Sequence, residues 1–465
     1  MATAFAHHDL PIDARPVSKG TRLDTKRLAA FSALAVPVTA VQVPITNFLP
    51  AIYAQQFGIS LAALGTIFLL ERVWGVVADP LVGVLSDRTR SRHGRRRLWI
   101  FAGAAIFALA AIGLFFPPQG ISALYLGAAL FSFYLGYAMI QIPYLAWSGE
   151  LSTDYHERTR ISAFSSVASS VALLLIMLLP VVIDQLGLGD DRLRLAAMGS
   201  FVLLALVPAT WLTLRSFPER AAPAPVRSDH PGVFATIRVV AQERLLRRII
   251  LSDLAVTFGQ GVRNTLLLFV VSHYMGRPGL GATLMLVQYV FGIAAAPIWM
   301  QVARQFGKHR TAIAGELVQV AVNLGLLALT PGNLSLLIAL TIAQGLSQGS
   351  GNLMLRAMVS DVADQHRLKT GHDRTALFFS AFSISWKLGF ALAVGVALPL
   401  VGALGFDPQA AQNSTYALNG LLIVFAAGPA LAHLASALLL RGFTLDEAEV
   451  SRVQAELRRT GTSHA

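Results

Sequence analysis

The chain has 465 residues, 55% hydrophobic and 13% charged, with 37 Lys+Arg against 25 Asp+Glu. Soluble domains carry about 25% charged residues, so a water-soluble enzyme of this length is excluded. The absence of Cys removes a disulfide framework, thiolate catalysis and Cys-ligated zinc.

A spanning helix needs about 20 apolar residues. Twelve stretches qualify, in chain order 29–56, 61–85, 98–116, 123–147, 161–185, 195–216, 248–274, 280–303, 310–330, 333–358, 375–404 and 415–440. Lipid offers a bare backbone no hydrogen bonds, so each is predicted to be a helix. The first is too long for a secretory signal, and no small-residue cleavage site precedes the second, so it is expected to stay. Pro37, Pro44 and Pro50 in span 1, and Gly345, Gly349 and Gly351 in span 10, predict kinks and close helix approach.

The basic residues fall in alternate loops. The N-terminal tail carries Arg15, Lys19, Arg22, Lys26 and Arg27; the loop after span 2 carries Arg88, Arg90, Arg92, Arg95, Arg96 and Arg97. More follow span 6 (Arg220, Arg227, Arg238, Arg244, Arg247, Arg248) and span 8 (Arg304, Lys308, Arg310). Positions 57–60, 117–122, 331–332 and 405–414 have none; Arg192, Arg194 and Arg277 are the exceptions. This is the positive-inside pattern, which places both termini in the cytoplasm and the chain in the inner membrane. The net charge of +12 is thereby a topology signal, and no nucleic-acid partner is expected.

The polar, Pro-rich stretch 217–247 separates six spans from six. Gly94-Arg95-Arg96-Arg97 after span 2 is echoed by Gly307-Lys308-His309-Arg310 after span 8, an offset of 213. Glu157-Arg158-Thr159, followed by Ser162 and Ser165, is echoed by Asp373-Arg374-Thr375, followed by Ser380 and Ser383, an offset of 216. The predicted organisation is a tail 1–28, a six-helix bundle 29–216, a cytoplasmic linker 217–247, a second bundle 248–440 and a tail 441–465. The fold class is an all-α membrane protein: twelve transmembrane helices in two pseudo-symmetric bundles with the solute path between them.

Glu71-Arg72-Val73-Trp74-Gly75-Val76-Val77-Ala78-Asp79-Pro80-Leu81-Val82-Gly83 runs on to Asp87-Arg88-Thr89-Arg90-Ser91-Arg92-His93-Gly94-Arg95. With Ile142-Pro143-Tyr144, Glu157-Arg158-Thr159 and the stretch Asp361 through Lys387, it resembles the glycoside–pentoside–hexuronide:cation symporters, the melibiose-carrier branch of the major facilitator superfamily. The resemblance covers roughly 30–440 and implies the major facilitator fold, a cytoplasmic N terminus and alternating access. That family has acids at the positions of Gly75, Asp79 and Gln141. Its sugar-binding Asp and Arg fall near Thr39 and Ser166. Most sodium and galactoside ligands are therefore missing here.

Ionisable residues within spans are costly and usually face a cavity or a partner. Arg72 and Asp79 lie seven residues apart, on nearly one face of span 2. They are expected to line the cavity with Asp79 as the proton-binding carboxylate, or else to form a helix-fastening ion pair. Lys387, beside Trp386 in mid-span 11, is too deep to snorkel and is expected in the cavity, where a lysine can stand in for a bound cation; a structural pair with an acid is its alternative. The resemblance puts it near the substrate and cation sites. Arg263 in span 7 offers a fork of donors suited to a carboxylate, phosphate or sugar hydroxyls. Tyr137, Gln141 and Tyr144 in span 4 add neutral hydrogen-bonding groups, which also serve as glue between helices. Asp253 reads as interfacial.

Around the cytoplasmic loops, Asp87, Arg88, Arg95 and Arg158 match Asp361, Lys308, Arg310 and Arg374. Asp87, Arg88, Arg158, Asp361 and Arg374 are expected to gate by pairing across the halves in the outward-open state; Arg95, Arg96 and Arg97 are expected to set topology. The tail 443–459 reads as an amphipathic helix with Thr444 as N-cap.

No Walker A sequence or His-x-x-x-His pair occurs. The sequence therefore predicts a monomeric secondary transporter rather than an enzyme, with no cofactor or bound metal. Its partners are a small solute, probed first as a sugar or glycoside, coupled protons and membrane lipid. A uniporter, or an exporter of an amphipathic molecule such as a lysolipid or drug, is the alternative.

Overall fold

The computed structural model describes residues 23–89, 91, 94–152, 154–188, 190–217, 219, 242–371 and 374–462. Arg15, Lys19, Arg22, Arg90, Arg92, Arg220, Arg227, Arg238, Asp373 and most of the predicted linker lie outside the described residues.

Twelve long helices follow one another: α1 (Thr25–Phe57), α2 (Leu61–Arg88), α3 (Arg95–Phe115), α4 (Ala123–Glu150), α5 (Tyr155–Gln185), α6 (Asp191–Ser216), α7 (Arg244–Tyr274), α8 (Gly281–Phe306), α9 (Lys308–Gly325), α10 (Leu334–Thr370), α11 (Thr375–Ala403) and α12 (Thr415–Leu440). A short helix, α13 (Glu447–Thr462), ends the described chain. Side chains fix several starts by accepting a backbone N–H three residues on: Ser60 from Ala63, Ser122 from Tyr125, Asp154 from Glu157 and Ser414 from Ala417. α1 is not continuous. A π turn over Pro44–Phe48 breaks it, where Pro44 and Pro50 cannot donate to the ladder. α1 ends at Gly58, whose φ of 67° is the left-handed cap that glycine adopts without strain.

Eleven of the twelve are long and apolar enough to cross a bilayer by length and composition. α10 is the other; its 37 residues carry polar side chains throughout. It also runs twelve residues past the predicted end at 358. That extension bears Asp361, Asp364, Arg367 and Lys369, and so charged a stretch gives hydropathy no signal. The tail helix begins later than predicted. Asp446, not Thr444, is its cap, accepting from Glu449 N at 3.0 Å, because a carboxylate also suits the positive end of the helix.

α1–α6 pack among themselves, α3 chiefly on α4 and α1 on α5 and α6. α7–α12 form the second bundle, with α7 against α11 and α12, and α10 between α8 and α9. Across the bundles the main seam is α2 on α11, with α5 touching α8. The seam is tight at the end opposite the chain termini. A Cβ on Gly65 would lie 2.7 Å from Pro399 Cδ, one on Gly395 3.1 Å from Leu69, and one on Gly402 3.5 Å from Leu61. One apolar core includes the whole first bundle and only the far-end residues of the second, such as Leu266, Met285, Leu398 and Leu421. The terminus-bearing end of the second bundle has a core of its own, including Leu246, Met358, Phe378 and Leu440. Ser162, Ser166, Ser170, Ser380 and Ser383 are exposed on α5 and α11 near that end. The molecule is closed at the far end and parted at the end bearing its termini.

Candidate functional site

Where the tight seam gives way, α2 and α11 exchange a charge contact. Lys387 Nζ of α11 pairs with Asp79 Oδ2 of α2, joining the two bundles. Both side chains are mostly buried. One helical repeat away on the same face of α2, Arg72 Nε lies 3.4 Å from Glu71 Oε2, and Arg72 Nη2 donates to Thr46 Oγ1 of the α1 π turn at 3.4 Å. Glu71 is 2% exposed and within electrostatic reach of Lys387 and Asp79. The cluster thus holds two acids and two bases, Glu71 and Asp79 with Arg72 and Lys387, and is neutral when all are ionised. Beside it a small cavity between the bundles is lined by Thr46, Phe68, Arg72, Phe390, Ala391 and Val394.

Asp79, Arg72 and Lys387 are brought together; the other sequence candidates are not. Glu71 stood inside the signature stretch and was missed, because adjacency to Arg72 on a helix places the two on different faces by simple geometry. Gly75 is buried against Tyr134, and a Cβ there would lie 2.6 Å from the Tyr134 ring. The phenol of Tyr134 occupies the space that an acid at this position would use. Gln141 is half-buried one helix away. Tyr144 is buried within the first bundle, stacked on Phe31 at 5.0 Å and bonded to Ser165 Oγ at 3.3 Å, which in turn meets Ser32 Oγ at 3.4 Å. Thr39 Oγ1 donates to Ser169 at 2.8 Å on the same α1–α5 wall. Trp386 is 42% exposed and packs edge-on against Phe390.

Arg263 is enclosed inside the second bundle, 1% exposed. Its Nη1 donates to Asn323 of α9 at 3.2 Å and its guanidinium lies over Phe425 of α12. Asp253 is 1% exposed and accepts from Ser385 Oγ of α11 at 2.5 Å. Helix–helix packing at the end of α7 hides it, which a hydropathy profile does not register. A second buried pair, Glu316 of α9 and His433 of α12, meets at 2.6 Å.

At the terminus-bearing end the charged residues pair within each bundle in this state. Arg96 Nη2 reaches Asp87 Oδ1 at 2.5 Å and Glu150 Oε1 at 3.1 Å. Arg95 pairs with Glu150 at 2.7 Å and lies 3.8 Å from Glu219, which also accepts from Arg96 N at 2.9 Å. In the second bundle Lys308 meets Asp361 at 2.6 Å. Arg95–Glu150 and Lys308–Asp361 each tie the start of one helix to the end of the next, at offsets of 213 and 211. Arg95 and Arg96 are thus engaged in a network and are more than loop charge. Arg158 is exposed, its Nε donating to Ser152 O at 2.8 Å. Arg88 and Arg374 are exposed and form no ion pair among the described residues.

The sequence is 26% identical over 426 residues to the putative glycoside/cation symporter YagG of Escherichia coli, covering 89% of this chain and 90% of that one. It is 24% identical to the raffinose carrier protein of Pediococcus pentosaceus, covering 85% and 64%. Among solved structures, the nucleoside transporter NupG superposes with a TM-score of 0.63 at 11% identity, covering 90% of this chain and 100% of that one. A bacterial homologue of the lysosomal transporter Spinster superposes with a TM-score of 0.59 at 15% identity, covering 92% and 96%. Both likenesses are of fold: twelve helices in the major facilitator arrangement. The model of the family described as MFS/sugar transport protein matches residues 30–447, so the chain belongs to that family of the major facilitator superfamily.

Proposed function

We propose that the protein is a proton-coupled symporter carrying a sugar or glycoside across the inner membrane by alternating access, with Asp79 the proton acceptor and Lys387 its counter-charge. The observation that carries this reading is the bridge between Asp79 and Lys387 across the two bundles. A proton on Asp79 removes one of two acids, releases Lys387 and loosens the bundles at the hinge level of the seam. Sodium takes several hard oxygen ligands. Here Glu71 faces Arg72, Asp79 faces Lys387 and Tyr134 fills the space over Gly75, so no carboxylate pair is left to cage a cation. The names of YagG and the raffinose carrier support a glycoside as the solute. The basic loops support a cytoplasmic location for both termini, which makes the parted end cytoplasmic and this state inward-open. The protein acts as a monomer in contact with membrane lipid. Uniport is the second reading, favoured by the same bridge, since a lysine held against Asp79 can replace the coupling cation.

The test is uptake of labelled glycosides into liposomes under an imposed pH gradient. Asp79→Asn is expected to lose uphill uptake and keep exchange. Sodium-stimulated uptake at constant pH and membrane potential refutes proton coupling. The chain has no Cys, so orientation is read separately. Gln119→Cys and Gly332→Cys should label from outside and Ser451→Cys from inside.

A further inference from the structure

We infer that Asp253 and Ser385 are positioning residues: their hydrogen bond clamps α11 to α7 and thereby sets where Lys387 is presented to Asp79. The inference rests on the reading of Asp79 and Lys387 as the working pair. α11 is sandwiched, packing on α7 within its own bundle and on α2 of the other. Ser385 and Gly389 are four residues apart and share one face of α11. Both meet α7. Ser385 Oγ donates to Asp253 Oδ2 at 2.5 Å, and a Cβ on Gly389 would lie 2.7 Å from Thr257 Cβ and 3.1 Å from Leu254 O.

Lys387 lies between those two residues in sequence. At about 100° per residue it points roughly 200° round from Ser385, toward α2. One turn of α11 is thus fastened on one side by a buried hydrogen bond and a backbone-close glycine contact. Its other side offers the ammonium to Asp79. The Ser385 proton is also within reach of Phe382 O at 2.8 Å, so without Asp253 the hydroxyl turns back onto its own helix and the clamp is lost. Buried Asp253 lies in neither the solute path nor the loop networks, which leaves the clamp as the use of its carboxyl. Glu316 is the further acid within its electrostatic reach, on α9, and Glu316 is held by His433 of α12.

The test uses thiol cross-linking, with two reporter pairs. Asp79→Cys with Lys387→Cys reports the bridge, and Leu61→Cys with Gly402→Cys reports the far-end seam, where a Cβ on Gly402 would lie 3.5 Å from Leu61. Adding Ser385→Ala should slow cross-linking at the bridge about tenfold, the loss of one buried hydrogen bond, and leave the seam within about twofold. Ser385→Thr, which keeps the hydroxyl, should restore the bridge rate. Where Ser385→Ala does not fold, Asp253→Asn should act in the same direction by a smaller factor. In the chain with its native Asp79 and Lys387, Ser385→Ala should lower kcat for exchange with KM little changed. An unchanged bridge rate, or an equal loss at both reporter pairs, overturns the proposal. Cross-linking needs no gradient. A failure of proton coupling therefore leaves this result standing, and its own failure leaves coupling untouched.

Discussion

Lys387 and Asp79 belong to different bundles, 308 residues apart in sequence, and form an ion pair across the seam between them. Their side chains are 22% and 17% exposed, between the weak surface pair and the fully buried one. Removing one partner leaves the other charge without its counterpart in a largely apolar seam. Lys387→Met should therefore cost about 1–3 kcal/mol, and Asp79→Asn a similar amount. The double substitution should recover at least half of the summed loss, read as melting midpoints in detergent. Strict additivity would show that the pair is not coupled in this state.

The far-end seam makes a second prediction. Gly65 lets α2 approach α11 so closely that a Cβ would stand 2.7 Å from Pro399. That contact exists only while the far end is closed, because Gly65 and Pro399 are in separate bundles. Gly65→Leu should shift the population toward the opposite state. In that background Leu268→Cys, which with Phe48, Ile52 and Pro278 lines a small cavity at that end, should react about tenfold faster with an impermeant thiol reagent, equivalent to about 1.4 kcal/mol of shift. An unchanged rate would show that this seam does not part in the opposite state.

Much of this architecture could be read from the residues, for identifiable reasons. Most spans announce themselves because they are apolar over the bilayer thickness, and the Arg95 and Lys308 loops repeat because both bundles solve one problem, tying a helix start to the following helix. Asp79, Arg72 and Lys387 stood out because charge within a span is rare. What could not be read was which neighbour each charge meets. Arg263 looked as suitable for a ligand as Lys387, yet it points to Asn323 and Phe425 inside its own bundle. Helical rotation, set by packing on α9 and α12, decides this, and the α7 sequence alone does not contain it. The partners of Asp253, and Glu316 altogether, escape the sequence for the same reason: burial between helices leaves no mark on hydropathy. The Pro44–Phe48 π turn likewise depends on how α1 meets its neighbours.

Arg158 and Arg374 occupy equivalent positions at the starts of α5 and α11 and stand exposed at the end bearing the termini, away from the Asp79 cluster. If they act when the halves close at that end, Ala substitutions should slow uptake about tenfold while equilibrium solute binding stays within about threefold. Arg96→Ala should behave otherwise. Arg96 is 5% exposed and joins Ser86, Asp87 and Glu150, so its removal should lower the melting midpoint as well as the rate. Loss of solute binding in Arg158→Ala or Arg374→Ala would place those side chains in the binding step.

Glu316 and His433 make the final prediction. Glu316 Oε2 and His433 Nδ1 meet at 2.6 Å, both side chains almost wholly buried, and they fasten α9 to α12 at the core of the second bundle. The two partners should not be equivalent on deletion. His433→Ala strands a carboxylate where water cannot reach it, and a stranded ionised group costs more than a stranded neutral one. Glu316→Ala strands an imidazole ring, whose carbon atoms tolerate burial better than a carboxylate does. Glu316→Gln keeps a side chain able to bond His433 Nδ1 in the same space. The destabilisation should therefore rank His433→Ala above Glu316→Ala above Glu316→Gln, at about 3–5, about 1–3 and under about 1 kcal/mol. Melting curves of the three variants in one detergent decide the order. A His433→Ala variant as stable as Glu316→Gln would mean that Glu316 is satisfied by something other than His433.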